Sequence, residues 1–350
     1  MGILIRNTAF AILAATLIGI IGCSRSTAPF TANQSGLSFE ITAAATAITP
    51  PQELLIQLNS DGGFHREQNV RNPANNGFVR FDEVPYGHLF VDIQGFNSGN
   101  RTLYGHSEIG VMEPQADVGV ILRNILTVKK ISTELEQHFL PAIPQHSDFW
   151  DNQPATGTAK CASALTGTTV LTTILSADQY FYFLFEITDN TFSTEDRPFN
   201  QFGEMTSDAV IVYLCKIPPH NIEIGNGTFP AVQFQCEVGK MLDINNRFNF
   251  VNLSNNTVRD FSLQTLDNDE VRGRLLRDIG GDPNRRILEL RINKGLLSIP
   301  MEVQQLGIAI RYRDSFDPDQ PPQLCDWQSG QEESNPKIAL NSWGYLEVTP

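Results

Sequence analysis

The nine residues from Tyr180 to Thr188 (YFYFLFEIT) constrain the fold more than any other stretch. Apolar and aromatic side chains follow one another almost without interruption. The run is too short for a buried helix and right for a strand covered on both faces. Around it lie segments with the two-residue period of half-buried strands. In the N-terminal half these are Leu37–Ile41, Glu53–Asn59, Gly77–Glu83, His88–Gln94, Tyr104–Met112 and Val118–Leu122. Gly77–Glu83 sets Val79 and Phe81 on one face, the expected buried one, with Phe78, Arg80 and Asp82 on the other. His88–Gln94 aligns Leu89, Val91 and Ile93 in the same way. In the C-terminal half the strands are Val170–Leu175, Asp208–Leu214, Ala231–Val238, Arg247–Leu253, Ile287–Ile292, Leu306–Tyr312 and Gly344–Val348.

Composition agrees: 22 phenylalanines, 26 glycines and 20 prolines accompany a charged fraction of only 18%. The expected class is all-β, with two β-sandwich domains. Residues 37–125 form a small accessory sandwich. Residues 126–145 form a linker, in which Thr133–Phe139 makes one or two helical turns before Pro141 and Pro144. Residues 146–350 form a larger, jelly-roll-like sandwich. The run FDEVPYGHLFVDIQGF, followed by LYGHSEIGV, resembles the immunoglobulin-like or prealbumin-like accessory modules of bacterial surface proteins. His65, His88 and His106 in this region lack the i,i+2 or i,i+4 spacing of metal ligands and read as surface residues.

At the N-terminus, Arg6 precedes an apolar run from Ala9 to Gly22, which is short for a membrane span and suited to the core of a signal peptide. Its end, Ile20-Ile21-Gly22-Cys23, resembles the bacterial lipobox. The resemblance implies cleavage after residue 22 and fatty acylation of Cys23, palmitate being a typical chain. Residues 23–36 then act as a polar tether. Ser24, in place of an aspartate, points to the outer membrane rather than to inner-membrane retention. Removing residues 1–22 takes one of the 25 basic side chains and none of the 39 acidic ones, so the remainder carries a net charge of −15. That balance argues against nucleic acid as a partner. It suits a hard cation.

Four cysteines lie beyond Cys23: Cys161, Cys215, Cys236 and Cys325. None forms a CxxC pair, so zinc and thioredoxin-like roles are disfavoured. In an oxidising compartment an even number suggests two disulfides, with three pairings possible. Cys215–Cys236 is the favoured pair because both flank one expected hairpin, which leaves Cys161–Cys325.

From residue 146 the order of features is specific. It runs His146-Ser147-Asp148-Phe149-Trp150-Asp151, the aromatic strand ending at Thr188-Asp189, Ser207-Asp208, Leu288-Glu289-Leu290, Ile299-Pro300, Leu306-Gly307-Ile308, Tyr312 with Asp314, Trp327, and Trp343-Gly344-Tyr345-Leu346. This series resembles the family 9 carbohydrate-binding modules and their DOMON-like relatives. Ala209-Val210, where that pattern has Val-Glu, departs from it. The resemblance implies non-catalytic sugar binding. Flat aromatic rings with adjacent polar groups are the chemistry needed. Trp327, in the expected loop LCDWQSGQEE beside Asp326, Gln328 and Gln331, is the first candidate. Trp150 and Trp343 are further candidates whose competing role is closing the ends of the sandwich. Asp189, Asp208 and Asp314 fall at strand ends and are the candidate calcium ligands. No pair of acids stands out as a glycosidase pair, and the chain reads as a non-enzyme. Two alternatives remain. One is a structural or assembly lipoprotein that binds another envelope protein. The other is a haem binder of the DOMON type, for which Met205 is the candidate axial ligand.

Overall fold

The computed structural model describes residues 36–43, 50–73, 78–111, 115–132, 139, 148–151, 158–163, 166–192, 208–219, 231–238, 247–253, 257–262, 270–277, 279–299, 304–315, 323–327 and 343–349. Almost all of them lie in strands. The N-terminal strands are β1 (Gly36–Ala43), β2 (Glu53–Ser60), β3 (His65–Arg71), β4 (Phe78–Asp82), β5 (Gly87–Asn97), β6 (Asn100–Val111) and β7 (Gln115–Lys129). A single helical turn, α1 (Asp148–Asp151), follows. Then come β8 (Thr158–Ala162), β9 (Thr169–Ser176), β10 (Tyr180–Thr188), β11 (Ala209–Cys215), β12 (Ala231–Glu237), β13 (Arg247–Asn252), β14 (Thr257–Ser262), β15 (Val271–Arg277), β16 (Arg285–Asn293), β17 (Gln305–Asp314), β18 (Gln323–Trp327) and β19 (Gly344–Thr349). The all-β expectation holds.

In the N-terminal part, β6, β5, β2 and β3 form one leaf, and β4, β1 and β7 form another. Leu54, Ile56, Leu58, Leu89, Val91 and Ile93 of the first leaf meet Val79, Phe81, Val118, Val120 and Leu122 of the second in one core. The alternation read from the sequence is realised: Val79 and Phe81 are buried while Arg80 and Asp82 are exposed. The leaves approach closely where β6 passes β7. A Cβ on Gly105 would lie 2.7 Å from the Ile121 carbonyl oxygen, so only glycine fits there.

The C-terminal sandwich packs a five-stranded antiparallel sheet, ordered β15-β16-β10-β9-β8, against the sheet containing β14-β13-β12-β11-β17-β19. Phe181, Phe183, Phe185 and Ile187 of β10 face Val210, Val212 and Leu214 of β11 and Val232, Phe234 and Cys236 of β12. Phe183 meets Phe234 edge to face at 5.0 Å between ring centres, across the two layers. The other face of β10 is covered as well. Tyr182 and Leu184 pack with Phe139 and with Phe149 and Trp150 of α1. This is the two-sided burial that YFYFLFEIT requires.

Strand β7 belongs to both cores. Its first part pairs in parallel with β1, and its last part, Ile125 to Lys129, pairs in parallel with β19. Leu126 and Val128 enter the C-terminal core. The expected boundary between residues 125 and 126 therefore falls inside a continuous strand. Arg123 is buried and donates to the Trp343 carbonyl at 3.4 Å. An ion pair between Arg101 and Glu347 joins β6 to β19 beside it. The expected helical turns at 133–138 lie outside the described residues.

Candidate functional site

Three aspartates meet at one end of the C-terminal sandwich. Asp314 ends β17. Asp208 immediately precedes β11, whose Ala209 lies opposite Arg313, so the two acids are neighbours across that ladder. Asp189 follows β10 and arrives from the facing sheet. All three are fully buried, and one carboxylate oxygen from each lies within 4.8 Å of the others. The sequence singles out these three acids as calcium ligands, and the fold brings them together.

Their hydrogen bonds fix them in place. Asp189 Oδ1 accepts from the Thr191 backbone N–H at 2.7 Å and from its hydroxyl at 2.8 Å, an Asx-type turn. Asp189 Oδ2 accepts from the Tyr312 hydroxyl at 2.8 Å. Asp314 Oδ2 accepts from Thr168 Oγ1 at 2.8 Å, and Asp208 Oδ1 accepts from the Ser315 backbone N–H at 2.7 Å. Burial pushes the Asp314 carboxyl above its ordinary value, and the charge of Asp189 adds to that push. Hydroxyl bonds from Thr166, Thr168 and Thr191 oppose it. Burial, and then the charges of Asp208 and Asp189, hold the Tyr312 phenol well above its usual range.

Buried Arg286 and Arg313 lie within the field of these acids and offset part of their charge. Three carboxylates this close repel one another unless a proton or a cation is shared between them. The donors are all oxygens, which suits calcium rather than a soft metal. Sequence reasoning missed the supporting groups Thr168, Thr191, Arg286 and Arg313. The Asp189-Asn190-Thr191 spacing was a usable signal for one of them.

The aromatic candidates separate. Trp150 is 8% exposed and packs edge to face against Phe149 at 5.1 Å between ring centres. Trp343 is 1% exposed and covered by Tyr213, Ile211 and Ala231. Both are core residues, which corrects their candidacy as sugar contacts. Trp327 is only partly buried. It lies at the end of β18 rather than in a loop, and it packs on the rim of the inter-sheet core. Asp326 does not stand beside it. Adjacent strand residues point to opposite faces, and Asp326 grips Arg311 on the outer face through bonds of 2.6 and 2.7 Å. Asp326 is thereby turned to the face opposite the Trp327 ring. Gln328, Gln331 and Met205 lie outside the described residues.

Among the described residues the four cysteines, Cys161, Cys215, Cys236 and Cys325, are all buried, and no bridge joins them in this structure. The expected Cys215–Cys236 bridge is ruled out by register. Cys236 lies opposite Val210 and Cys215 lies opposite Ala231, at the two ends of the β11–β12 ladder. The two also face different layers, Cys236 the inter-sheet core and Cys215 the outer cluster around Trp343. Burial pushes the Cys215 thiol up to about 11. Cys161 and Cys325, by contrast, are brought together.

On the N-terminal sheet, His65, His88 and His106 share one solvent-facing surface. Glu108 lies between two of them, 3.5 Å from His88 Nε2 and 3.7 Å from His106 Nε2.

No protein-family model matches the chain, and no curated protein does. Among solved structures, the chain is similar to a family 9 carbohydrate-binding module from Caldicellulosiruptor kristjanssonii in complex with glucose. The identity is 14%, the match covers 64% of this chain and 95% of that one, and the TM-score is 0.39. It is also similar to a protein of assumed carbohydrate-binding function from Bacteroides uniformis. There the identity is 12%, the coverage is 64% and 99%, and the TM-score is 0.38. These are likenesses of strand arrangement alone.

Proposed function

We propose that this chain is a lipid-anchored, non-catalytic carbohydrate-binding protein of the bacterial envelope. The observation that carries the reading is the position of Trp327. Of the chain's three tryptophans, two are sealed in cores, while Trp327 is only partly buried at the edge of the inter-sheet core. A partly open indole held from behind by a packed core offers a rigid apolar face to a pyranose ring. The ordered series of sequence features between residues 146 and 348 supports the same reading. Calcium, held by Asp189, Asp208 and Asp314, would fasten the ends of β10, β11 and β17 rather than touch the sugar. The lipobox-like Cys23 supports an anchor in the outer membrane, with the N-terminal sandwich as a spacer. A glycan array probed with the full chain, with calcium and with chelator, tests the reading.

The fate of Asp326 favours a second reading. An acid expected beside the aromatic platform is instead locked to Arg311, so that polar partner of Trp327 is lost. A sandwich without its sugar site would serve as an envelope scaffold that contacts another protein. Failure of the array with every glycan would select this reading.

A further inference from the structure

We propose that Cys161 and Cys325 are joined by a disulfide that clasps the two sheets at their open edge, and that Cys215 and Cys236 remain thiols. The inference does not depend on sugar binding. Cys161 lies in β8, an end strand of the five-stranded sheet, and Cys325 lies in β18, which among the described residues pairs only with β17 in the other sheet. Both side chains point into the common core, where β8 and β18 pack against each other. The neighbouring Cys325, and then burial, hold the Cys161 thiol well above its ordinary range. Cys215 and Cys236 lie opposite Ala231 and Val210 in the ladder they share and face different layers.

The clasp would act where the chain most needs it. Cys325 precedes Trp327 by two residues on the same face. Cys161 leads through Ser163, which donates its backbone N–H to the Thr168 carbonyl at 2.9 Å, to the threonine that holds Asp314. Among the described residues each of these two edge strands has one backbone partner, and such strands are the natural fraying points of a sandwich. A covalent link between them fixes both the tryptophan and one wall of the aspartate cluster.

The chemistry balances with an acceptor disulfide, either glutathione disulfide or an oxidised dithiol protein. One cysteine thiolate attacks the acceptor to give a mixed disulfide and releases one thiol. The second thiolate displaces the other acceptor sulfur. Two thiols and one disulfide become one disulfide and two thiols, with two electrons and two protons passing to the acceptor. Because the neighbouring Cys325 and burial disfavour the Cys161 thiolate in the folded protein, the exchange belongs to folding, and the finished bond resists reduction until the domain opens.

The test uses the full chain carrying Cys23→Ser, so that four thiols remain. The chain is refolded in a glutathione redox buffer and then alkylated under denaturing conditions without reductant. The expected peptide map shows Cys161 linked to Cys325, with Cys215 and Cys236 alkylated. Four alkylated cysteines, or any other pairing, would overturn the proposal. Cys161→Ala should abolish the link and lower the melting temperature by about 5–10 °C, since the bond closes a loop of about 160 residues. Cys215→Ala should leave the link in place. A mapped link whose removal leaves the melting temperature unchanged would refute its role as a clasp.

Discussion

Tyr312 donates its hydroxyl hydrogen to Asp189 Oδ2 at 2.8 Å and thereby ties β17 of one sheet to the end of β10 in the other, with both groups fully buried. The bond orients one of three carboxylates that share a site, and it links the core to the candidate cation cluster. Tyr312→Phe removes the donor and leaves a buried carboxylate oxygen short of a partner. Chemical denaturation should show a loss of about 1–3 kcal/mol, and calcium affinity should weaken.

Calcium should stabilise the chain. A ligand that binds only the folded state at one hundred times its dissociation constant adds about 2.7 kcal/mol. Thermal melts with calcium and with chelator should separate by several degrees, and Asp208→Asn should close the gap. Melts that coincide in the wild type would show that Arg286, Arg313 and the hydroxyls suffice to hold the three acids.

The pH response follows from Asp314. Its folded pKa is raised above the ordinary 3.8. The fold therefore holds this proton more tightly than the unfolded chain does. That contribution is complete below 3.8 and is lost as pH rises through the folded value. The calcium-dependent increment should run the other way, small at pH 4 and larger at pH 7, because the ion competes with the proton. Melts in chelator and in calcium across this range check both signs.

His106 offers a separate titration. Its hydrogen bond to Asp92, at 2.9 Å, raises its pKa above 6.5 against the opposing effect of burial. The stabilisation it gives is full below 6.5 and is lost as pH rises through the folded value. An NMR titration should place His106 above 6.5, and Asp92→Asn should bring it down.

Strand β7 makes a prediction about dissection. A fragment beginning at residue 130 lacks Leu126 and Val128 and leaves β19 without its parallel partner. Losing a buried aliphatic side chain costs about 2–5 kcal/mol. The 130–350 fragment should melt lower than a 115–350 fragment, or aggregate.

Much of the fold was legible because burial imposes a period. β10 was readable to the residue, and the inward faces of β4 and β5 follow from simple alternation. Five strands left no such trace: β3 (HREQNVR), β8 (TAKCA), β14 (TVRDFS), β15 (VRGRLLR) and β18 (QLCDW). Each has a strand on one side only among the described residues. An edge strand is partly solvated and owes its conformation to its neighbour, so its own sequence need not alternate. The site divides along the same line. Asp189, Asp208 and Asp314 were legible because they sit at the ends of strongly patterned strands. Asp326 and Trp327 were read as a loop, and the strand they form sends them to opposite faces. The cysteine pairing failed at Cys215–Cys236 because flanking a hairpin does not make two residues opposite each other.

The central claim rests on Trp327, and its most direct test compares glycan binding by the wild-type chain with Trp327→Ala and Asp326→Ala. The account predicts that Trp327→Ala abolishes binding while the folded spectrum is retained. It predicts that Asp326→Ala keeps binding and loses about 1–3 kcal/mol of stability, because it strands Arg311. Binding that survives Trp327→Ala would contradict it.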